Sequence, residues 1–332
     1  GQVLISEFTL ARHLSWTAQR LVFRRTWDAW RLGYVERALR SRGIQAVLAE
    51  YGPMGVAMAP ACVRARIPLV VFFHGYDAYR QQVLADMGDR YVQLFEVCQA
   101  LVVNTQSIAD RLVALGAPAA KIHKAPCGVE TSAFTPTRPD RNGPVFVAVG
   151  RFVEKKAPYL TLLAFQRVHR AIPDARLVVA GAGPLLEVCV RLAHYYSLED
   201  AVSFPGLCSP AQVARLMSGA RAFVQHSITA LDGDSESLGV VFLEAGASGL
   251  PVIATRHDGI PEVVLEGETG LLVDEGDVDG MARAMIRLAE DPELAARMGA
   301  AGRARIEAEF SMDRSIANLW KIIENAIEEY DR

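Results

Sequence analysis

The stretch Asp232–Gly249 reads D-G-D-S-E-S-L-G-V-V-F-L-E-A-G-A-S-G, and the segments on either side of it decide the fold. An apolar strand signal, Arg221–Gln225, precedes it, and another, Pro251–Ala254, follows it. Through Ser237 the residues are small and polar, which predicts a loop. From about Gly239 they are apolar and helix-compatible, and Gly249 stands where a left-handed helix C-cap is expected. Glu236 therefore falls on the loop, and Glu244 on the first turns of a buried helix. A strand–loop–helix unit aims free backbone N–H groups at whatever lies above the sheet, which makes a ready site for a phosphate. A buried helix that merely carries a capping acid accounts for the same residues.

The same alternation of strand and helix runs outward in both directions. Val145–Val149 leads into Gly150-Arg151-Phe152-Val153-Glu154-Lys155-Lys156-Ala157-Pro158, with three cations within six positions at a strand's carboxyl end. That placement suits an anion clamp, and solvated lysines are the competing explanation. Arg176–Ala180 meets Gly181-Ala182-Gly183-Pro184, a poor dinucleotide fingerprint because Leu186 replaces its third glycine. Upstream, the strand signal Ala46–Glu50 is followed by a turn at Gly52-Pro53-Met54-Gly55 and a helical run to Arg66. Pro68–Phe73 is almost continuously apolar, as strands inside parallel sheets are, and it ends on His74-Gly75-Tyr76-Asp77. Ligands of open α/β sheets bind outside the carboxyl ends of strands, so His74 is well placed, although a strand-end histidine also caps turns. Thr131–Pro144 is rich in Pro, Thr and charge and reads as a linker. Helical patterns fill most of Asp277–Tyr330, and packing explains the apolar residues Ile316, Leu319, Trp320, Ile323 and Ile327.

Length and alternation together predict an α/β chain of two Rossmann-like, doubly wound parallel-sheet domains. Their bounds are 1–143 and 144–312, followed by a C-terminal helix over 313–332. At 51% hydrophobic and 22% charged residues, the composition is that of a folded protein rather than a disordered one. No apolar run is long enough to span a membrane, and no signal-peptide pattern is visible. The five scattered cysteines form no C-x-x-C pair, which favours core thiols over disulfides or zinc. Residues 1–143 hold 17 Lys/Arg against 11 Asp/Glu, whereas the remainder holds 18 against 27. The helical pattern Arg12–Arg42 concentrates eight arginines and three of the four tryptophans. An interfacial helix on anionic lipid and an amphipathic helix packed on its own sheet both fit it. Nucleic-acid binding is not indicated, because the chain as a whole lacks a basic balance.

Several motifs occur in a fixed order: Gly150-Arg151…Lys156, Gly181-x-Gly183-Pro184, the Glu236…Glu244 pair, Gly259-Ile260-Pro261-Glu262-Val263 and Gly267-x-Thr269-Gly270. Together they resemble the retaining glycosyltransferases of family four, which have the GT-B fold of two domains facing a cleft. His226-Ser227…Gly233-Asp234-Ser235-Glu236 looks like the exopolysaccharide and colanic-acid type of bacterial member. In the first domain the resemblance rests on His74–Asp77 and Pro126-Cys127-Gly128-Val129-Glu130. It implies a cytoplasmic enzyme, which would lie at the inner face of the cell membrane if the Arg12–Arg42 helix is interfacial. Such an enzyme takes a sugar from a UDP- or GDP-sugar to a glycan, lipid-linked or small-molecule acceptor, without metal or other cofactor. Arg151 and Lys156 would hold the donor diphosphate, and Glu236 the sugar hydroxyls. Glu244 would take the ribose hydroxyls, and the N–H groups near Gly239 and Val240 would face the phosphates. His74 would sit beside the transferring sugar, Gly150 would bind the donor, and the residues around Gly183 and Leu207 would border its base. Gly52, Gly55 and Asp77 would lie on the acceptor side. The C-terminal helix would cross back onto the first domain.

The sequence departs from the family pattern at several places. Ala157 and Ser237 stand where glycines are usual, which is tolerable if φ stays negative there. Cys127 replaces an asparagine, and the opening glycine-rich loop is not visible, so either the chain is shortened at its start or Gly52–Gly55 would do part of that loop's work. Asp232-Gly233-Asp234 mimics a metal-binding D-x-D, with acids in a polar loop as the alternative. A glycosidase, a nicotinamide dehydrogenase, a GT-B nucleotide-sugar epimerase and a catalytically silent nucleotide-sugar binder are the rival functions.

Overall fold

The computed structural model describes residues 32–332. The strand expected at Gly1–Ser6 and the tryptophan-bearing part of the expected helix Arg12–Arg42 lie outside the described residues. Residues 32–41 are helical (α1).

The first sheet has four parallel strands in sequential order: β1 (Val47–Glu50), β2 (Leu69–Phe73), β3 (Ala100–Val103) and β4 (Ile122–Lys124). The crossovers carry α2 (Gly52–Ala65), then α3 (Tyr76–Tyr79) with α4 (Gln81–Val97), then α5 (Gln106–Ala114). Side chains alternate across a strand, so β2 must be covered twice. Leu69, Val71 and Phe73 pack with Leu94, Phe95 and Ile108 of the helices, whereas Val70 and Phe72 join Ala100, Val102 and Ala125 on the opposite face.

The expected turn at Gly52–Gly55 is instead the opening of α2. A Cβ at Gly52 would lie 2.5 Å from the Phe73 ring, and one at Gly55 2.8 Å from Val71. Both glycines let the helix settle on β2, and neither belongs to an open loop. The physical reason is close packing, since any side chain there would push α2 off the sheet.

The second sheet has six parallel strands: β5 (Val145–Val149), β6 (Arg176–Ala180), β7 (Val202–Gly206), β8 (Ala222–Gln225), β9 (Val252–Thr255) and β10 (Gly270–Val273). Their spatial order is β10-β9-β8-β5-β6-β7, so the winding reverses between β5 and β8. Seven helices accompany it: α6 (Pro158–Ala171), α7 (Leu186–Tyr195), α8 (Pro210–Ser218), α9 (Val240–Ala247), α10 (Ile260–Val263), α11 (Val278–Glu290) and α12 (Pro292–Glu309). The last helix, α13 (Met312–Asp331), lies against the first sheet, where Leu319, Ile322, Ile323 and Ala326 meet the Val70–Phe72 face. Trp320 is outside that core at 59% exposure, with its Nε1–H donating to Glu324.

Two connections join the domains side by side. Val129 N–H donates to Phe310 O, and Met312 N–H donates to Val129 O. A Cβ at Gly128 would lie 2.5 Å from Ser311 O, which explains a glycine in that motif. The segment expected to be a linker, Thr131–Pro144, is bolted to the second domain. Buried Arg221 donates to the carbonyls of Pro139, Asn142, Leu288 and Ala289, and Thr137 N–H donates to Ser248 O. A proline- and charge-rich composition cannot register a buried guanidinium 80 residues away.

Candidate active site

The second domain brings its chemistry together where its winding reverses, the crevice in which doubly wound sheets bind ligands. β5 ends on Gly150 and the turn to Lys156, and β8 ends on Gln225 and the loop to Glu236. Lys156 Nζ lies 2.7 Å from Glu236 Oε2 and 3.3 Å from Gln225 Oε1. A Cβ at Gly150 would lie 2.9 Å from Lys156 Cδ, so the glycine is what allows the lysine stem to pass over the strand end. Burial opposes ionisation of Glu236, but Lys156, Lys155 and His257 outweigh it and hold the carboxyl below its ordinary range.

The three cations of the β5 turn separate into three roles. The Arg151 residue is exposed, and its guanidinium has no hydrogen-bond or ion-pair partner among the described residues. Lys156 is bound to Glu236. Lys155 is turned into the loop, 2.9 Å from both Asp234 Oδ1 and Ser235 O. Asp232 in turn pairs with Arg80 at 2.9 Å. Both acids of Asp232-Gly233-Asp234 are therefore occupied by cations.

Glu244 sits on α9, and Glu236 on the loop before it. Burial raises the Glu244 carboxyl above its ordinary range, with Lys156 acting against that rise. Gly239 caps the amino end of α9 at φ +70°, and a Cβ there would strike the Phe242 ring at 2.5 Å and come within 3.5 Å of Glu236 Oε1. Val240 opens the helix and is half exposed. Gly181, at φ +137°, brings its backbone so close to the β5 turn that a Cβ would lie 1.9 Å from Gly150 O; one at Gly183 would lie 2.6 Å from Phe152 O. Leu207 stands 82% exposed on the loop after β7.

From the first domain, His74 meets this loop through its backbone, because Ser237 Oγ donates to His74 O at 2.9 Å. Its ring stacks on Phe72 at 4.3 Å and places Nε2 2.5 Å from Glu50 Oε2. Burial disfavours the charged ring, but Cys127 and Glu50 outweigh it and raise His74 to about 9. Asp77 is fully buried and accepts from the N–H groups of Gly52, His74 and Gly75 at 2.7–3.1 Å. It organises the end of β2 and is closed off from any acceptor.

Sequence reasoning left out a second layer around Glu236. His257 Nε2 accepts the Glu236 N–H at 3.1 Å while Nδ1 donates to Glu275 at 2.5 Å. Ser235 Oγ donates to Asp258 Oδ2 at 2.7 Å. His257-Asp258 directly precedes the Gly259-Ile260-Pro261-Glu262 motif, and that adjacency was the available signal. Gly259 itself is packed against Thr105 and the backbone of Ser237, and Glu262 accepts from Gln106 N–H and Lys124 across the cleft. Ser237 keeps a negative φ, as its position requires, but Ala157 is left-handed at φ +33°. The turn into α6 demands that conformation whichever residue occupies it.

Comparison with known proteins identifies the scaffold. Residues 130–305 match the model of Glycosyl transferases group 1, and residues 12–133 that of Glycosyltransferase Family 4. WcaL of Escherichia coli K12, a glycosyltransferase ascribed to colanic acid biosynthesis, is 30% identical over 82% of this chain and 69% of its own length. The chain belongs to the family-four glycosyltransferases. The amylovoran biosynthesis glycosyltransferase AmsK of Erwinia amylovora is also 30% identical, over 77% of this family-four chain and 63% of its own. A GDP-mannose-dependent alpha-(1-6)-phosphatidylinositol monomannoside mannosyltransferase of Mycobacterium tuberculosis H37Rv is 36% identical over 63% of this chain and 57% of its own. The chain thus spans between just over half and about two thirds of the length of these relatives. Among solved structures, Anabaena HepE in complex with UDP superposes with a TM-score of 0.75 at 18% identity, covering 89% of this chain and 82% of its own. The fold is GT-B: two parallel-sheet domains facing a cleft.

Proposed function

We propose that this family-four glycosyltransferase moves a hexose, with retention of anomeric configuration and without a metal, from a UDP- or GDP-sugar to a glycan or lipid-linked acceptor. The observation that carries the proposal is the Lys156–Glu236 pair beside the unpartnered Arg151 at the winding reversal. Departure of the sugar breaks the bond from its anomeric carbon to the β-phosphate oxygen and leaves that electron pair on the diphosphate. Arg151 and Lys156, together with the N–H groups at Gly239 and Val240, supply fixed positive charge where the negative charge grows. The acceptor oxygen bonds to the anomeric carbon from the same face, and its proton passes to the departing diphosphate. Glu236, held ionised, accepts hydrogen bonds from the sugar hydroxyls, and Glu244 from the ribose. His74 borders the sugar from the first domain.

Metal independence is supported by the pairing of Asp232 with Arg80 and of Asp234 with Lys155, which commits both acids to protein cations. The GDP-mannose dependence of the mycobacterial relative and the UDP bound to HepE make GDP and UDP the donors to test. Contact with anionic membrane is supported by an apolar groove of about 910 Å³ between α1, α2 and α4, with Arg64 and Arg90 among its lining residues. No helix among the described residues is long and apolar enough to cross a membrane.

The deciding experiment is a thermal-shift series with UDP, GDP, ADP and their sugars, followed by product analysis with EDTA present. A ligand at a hundredfold excess over its dissociation constant stabilises the fold by about 2.7 kcal/mol. Absence of any shift, or turnover that disappears with EDTA and returns with Mn²⁺, would overturn the corresponding part of the proposal. Altered nucleotide-sugar without acceptor would instead mark an epimerase. Flotation with anionic liposomes checks the membrane contact, and a chain that stays in the dense fraction at low salt refutes it.

A further inference from the structure

The loop that bears Glu236 is not held by its own domain alone. At its start, Gln81 N–H donates to Asp232 O at 2.9 Å, and Arg80 Nε lies 2.9 Å from Asp232 Oδ2. Gly233, at φ +82°, runs so close that a Cβ would lie 2.8 Å from Tyr79 O. At its end, Ser237 Oγ donates to His74 O at 2.9 Å, and a Cβ on Gly75 would lie 3.0 Å from Ser237 Cβ. Between these grips, Tyr79 O–H donates to Asp258 Oδ1 at 2.9 Å. The other oxygen of Asp258 accepts from Ser235 Oγ, whose neighbour Glu236 is fixed by its N–H to His257. Residues 74–81 of the first domain therefore clasp residues 232–237 of the second at both ends and through the middle.

We propose that the first domain sets the geometry of the donor-sugar site, with Tyr79 as a positioning residue that acts on Glu236 through Asp258 and Ser235. The diphosphate clamp, by contrast, belongs wholly to the second domain: Arg151 and Lys156 come from β5, and the α9 amino end from the same sheet. Nucleotide binding is thus separable from sugar binding. The clamp draws on no group of the first domain, whereas the loop that bears the carboxylate reading the sugar is gripped by segment 74–81 in addition to Lys156 and His257. This rests on the reading of Glu236 as the group that meets the sugar.

The test compares wild type, Tyr79→Phe, Ser237→Ala and Glu236→Gln as full chains. Affinities are measured for UDP and GDP and for UDP-glucose and GDP-mannose, and amide hydrogen exchange is followed over residues 232–237. Tyr79→Phe is expected to bind the free nucleotide as wild type does, while affinity for the matching nucleotide-sugar falls about three- to tenfold, the worth of one hydrogen bond. Exchange over 232–237 should quicken by a similar factor while exchange in β5 and β8 stays unchanged. Ser237→Ala should do the same from the other end of the loop. A residue with a merely structural role would lower nucleotide and nucleotide-sugar binding together. If Glu236→Gln loses nucleotide-sugar affinity while Tyr79→Phe and Ser237→Ala keep both that affinity and wild-type exchange, this inference is overturned and the functional reading stands. If Glu236→Gln also binds nucleotide-sugar as wild type does, the functional reading itself falls.

Discussion

Lys156 and Glu236 come from opposite sides of the point at which the second sheet reverses, and their charged atoms lie 2.7 Å apart with both side chains largely buried. One arrives from the turn after β5, the other from the loop after β8, 80 residues later. A carboxylate with so little solvent is tolerable only beside a fixed cation. That cation is in turn kept close by Gly150, over which its stem lies.

Removing one partner should therefore cost more than removing both. Lys156→Ala is expected to destabilise the fold by about 3 kcal/mol or more, because Glu236 is left buried without its counter-ion. Turnover should drop by about two orders of magnitude or more through loss of a charge-stabilising donor. The double variant Lys156→Ala with Glu236→Gln should recover much of the stability and none of the activity. Thermal melts and donor-turnover rates of the four proteins form the cycle that checks this. Additive losses would refute the coupling.

Ala157 is fully buried at φ +33°, ψ +54°, a conformation that costs an L-residue about 1–2 kcal/mol. Ala157→Gly relieves it, at some loss through the freer unfolded chain. A net gain of about 0.5–1 kcal/mol is expected, visible as a rise of about 1–4 °C in the melting midpoint. Ala157→Val should do the opposite. A lower midpoint for the glycine variant would contradict the strain argument.

His226 supplies the pH prediction. It is fully buried, its Nε2 accepts the Gly276 N–H at 2.8 Å, and burial lowers it from 6.5 to about 4. The native ring is neutral where the unfolded ring is charged, so between these values the unfolded chain binds the extra proton. Its contribution to stability is complete above about pH 6.5 and is lost as pH falls toward about 4. Denaturant titrations across that window should show the decline, and His226→Gln should flatten it. An equally steep acid limb in the variant would assign the slope to other groups.

α13 holds the first sheet through one face only. Ala326→Asp puts a charge against Val70 and Phe72 and is expected to cost several kcal/mol. Trp320→Ala, at 59% exposure, should change stability by less than about 0.5 kcal/mol. Urea unfolding followed by circular dichroism separates the two, and a large loss for Trp320→Ala would show that its ring packs more closely than this.

The order of strands and helices, the two-domain division and the positions of Glu236 on a loop and Glu244 on a helix were legible in the chain itself. They follow from local periodicity and from glycines at strand ends, which act over a few residues. Residues 1–31 apart, what the sequence could not supply were the long-range pairings. Among them are Glu50 on His74, Arg221 beneath the linker-like segment Thr131–Pro144, the splitting of Arg151, Lys155 and Lys156 into three roles, and the clasp of Tyr79 and Ser237. Each joins groups that lie far apart along the chain, and hydrophobic patterning carries no record of which buried charge meets which. Trp320 and Gly52–Gly55 show the same limit from the other side. An apolar residue at helical spacing can face solvent, and a glycine can serve packing rather than a turn, because only the approach of another element decides which face is covered.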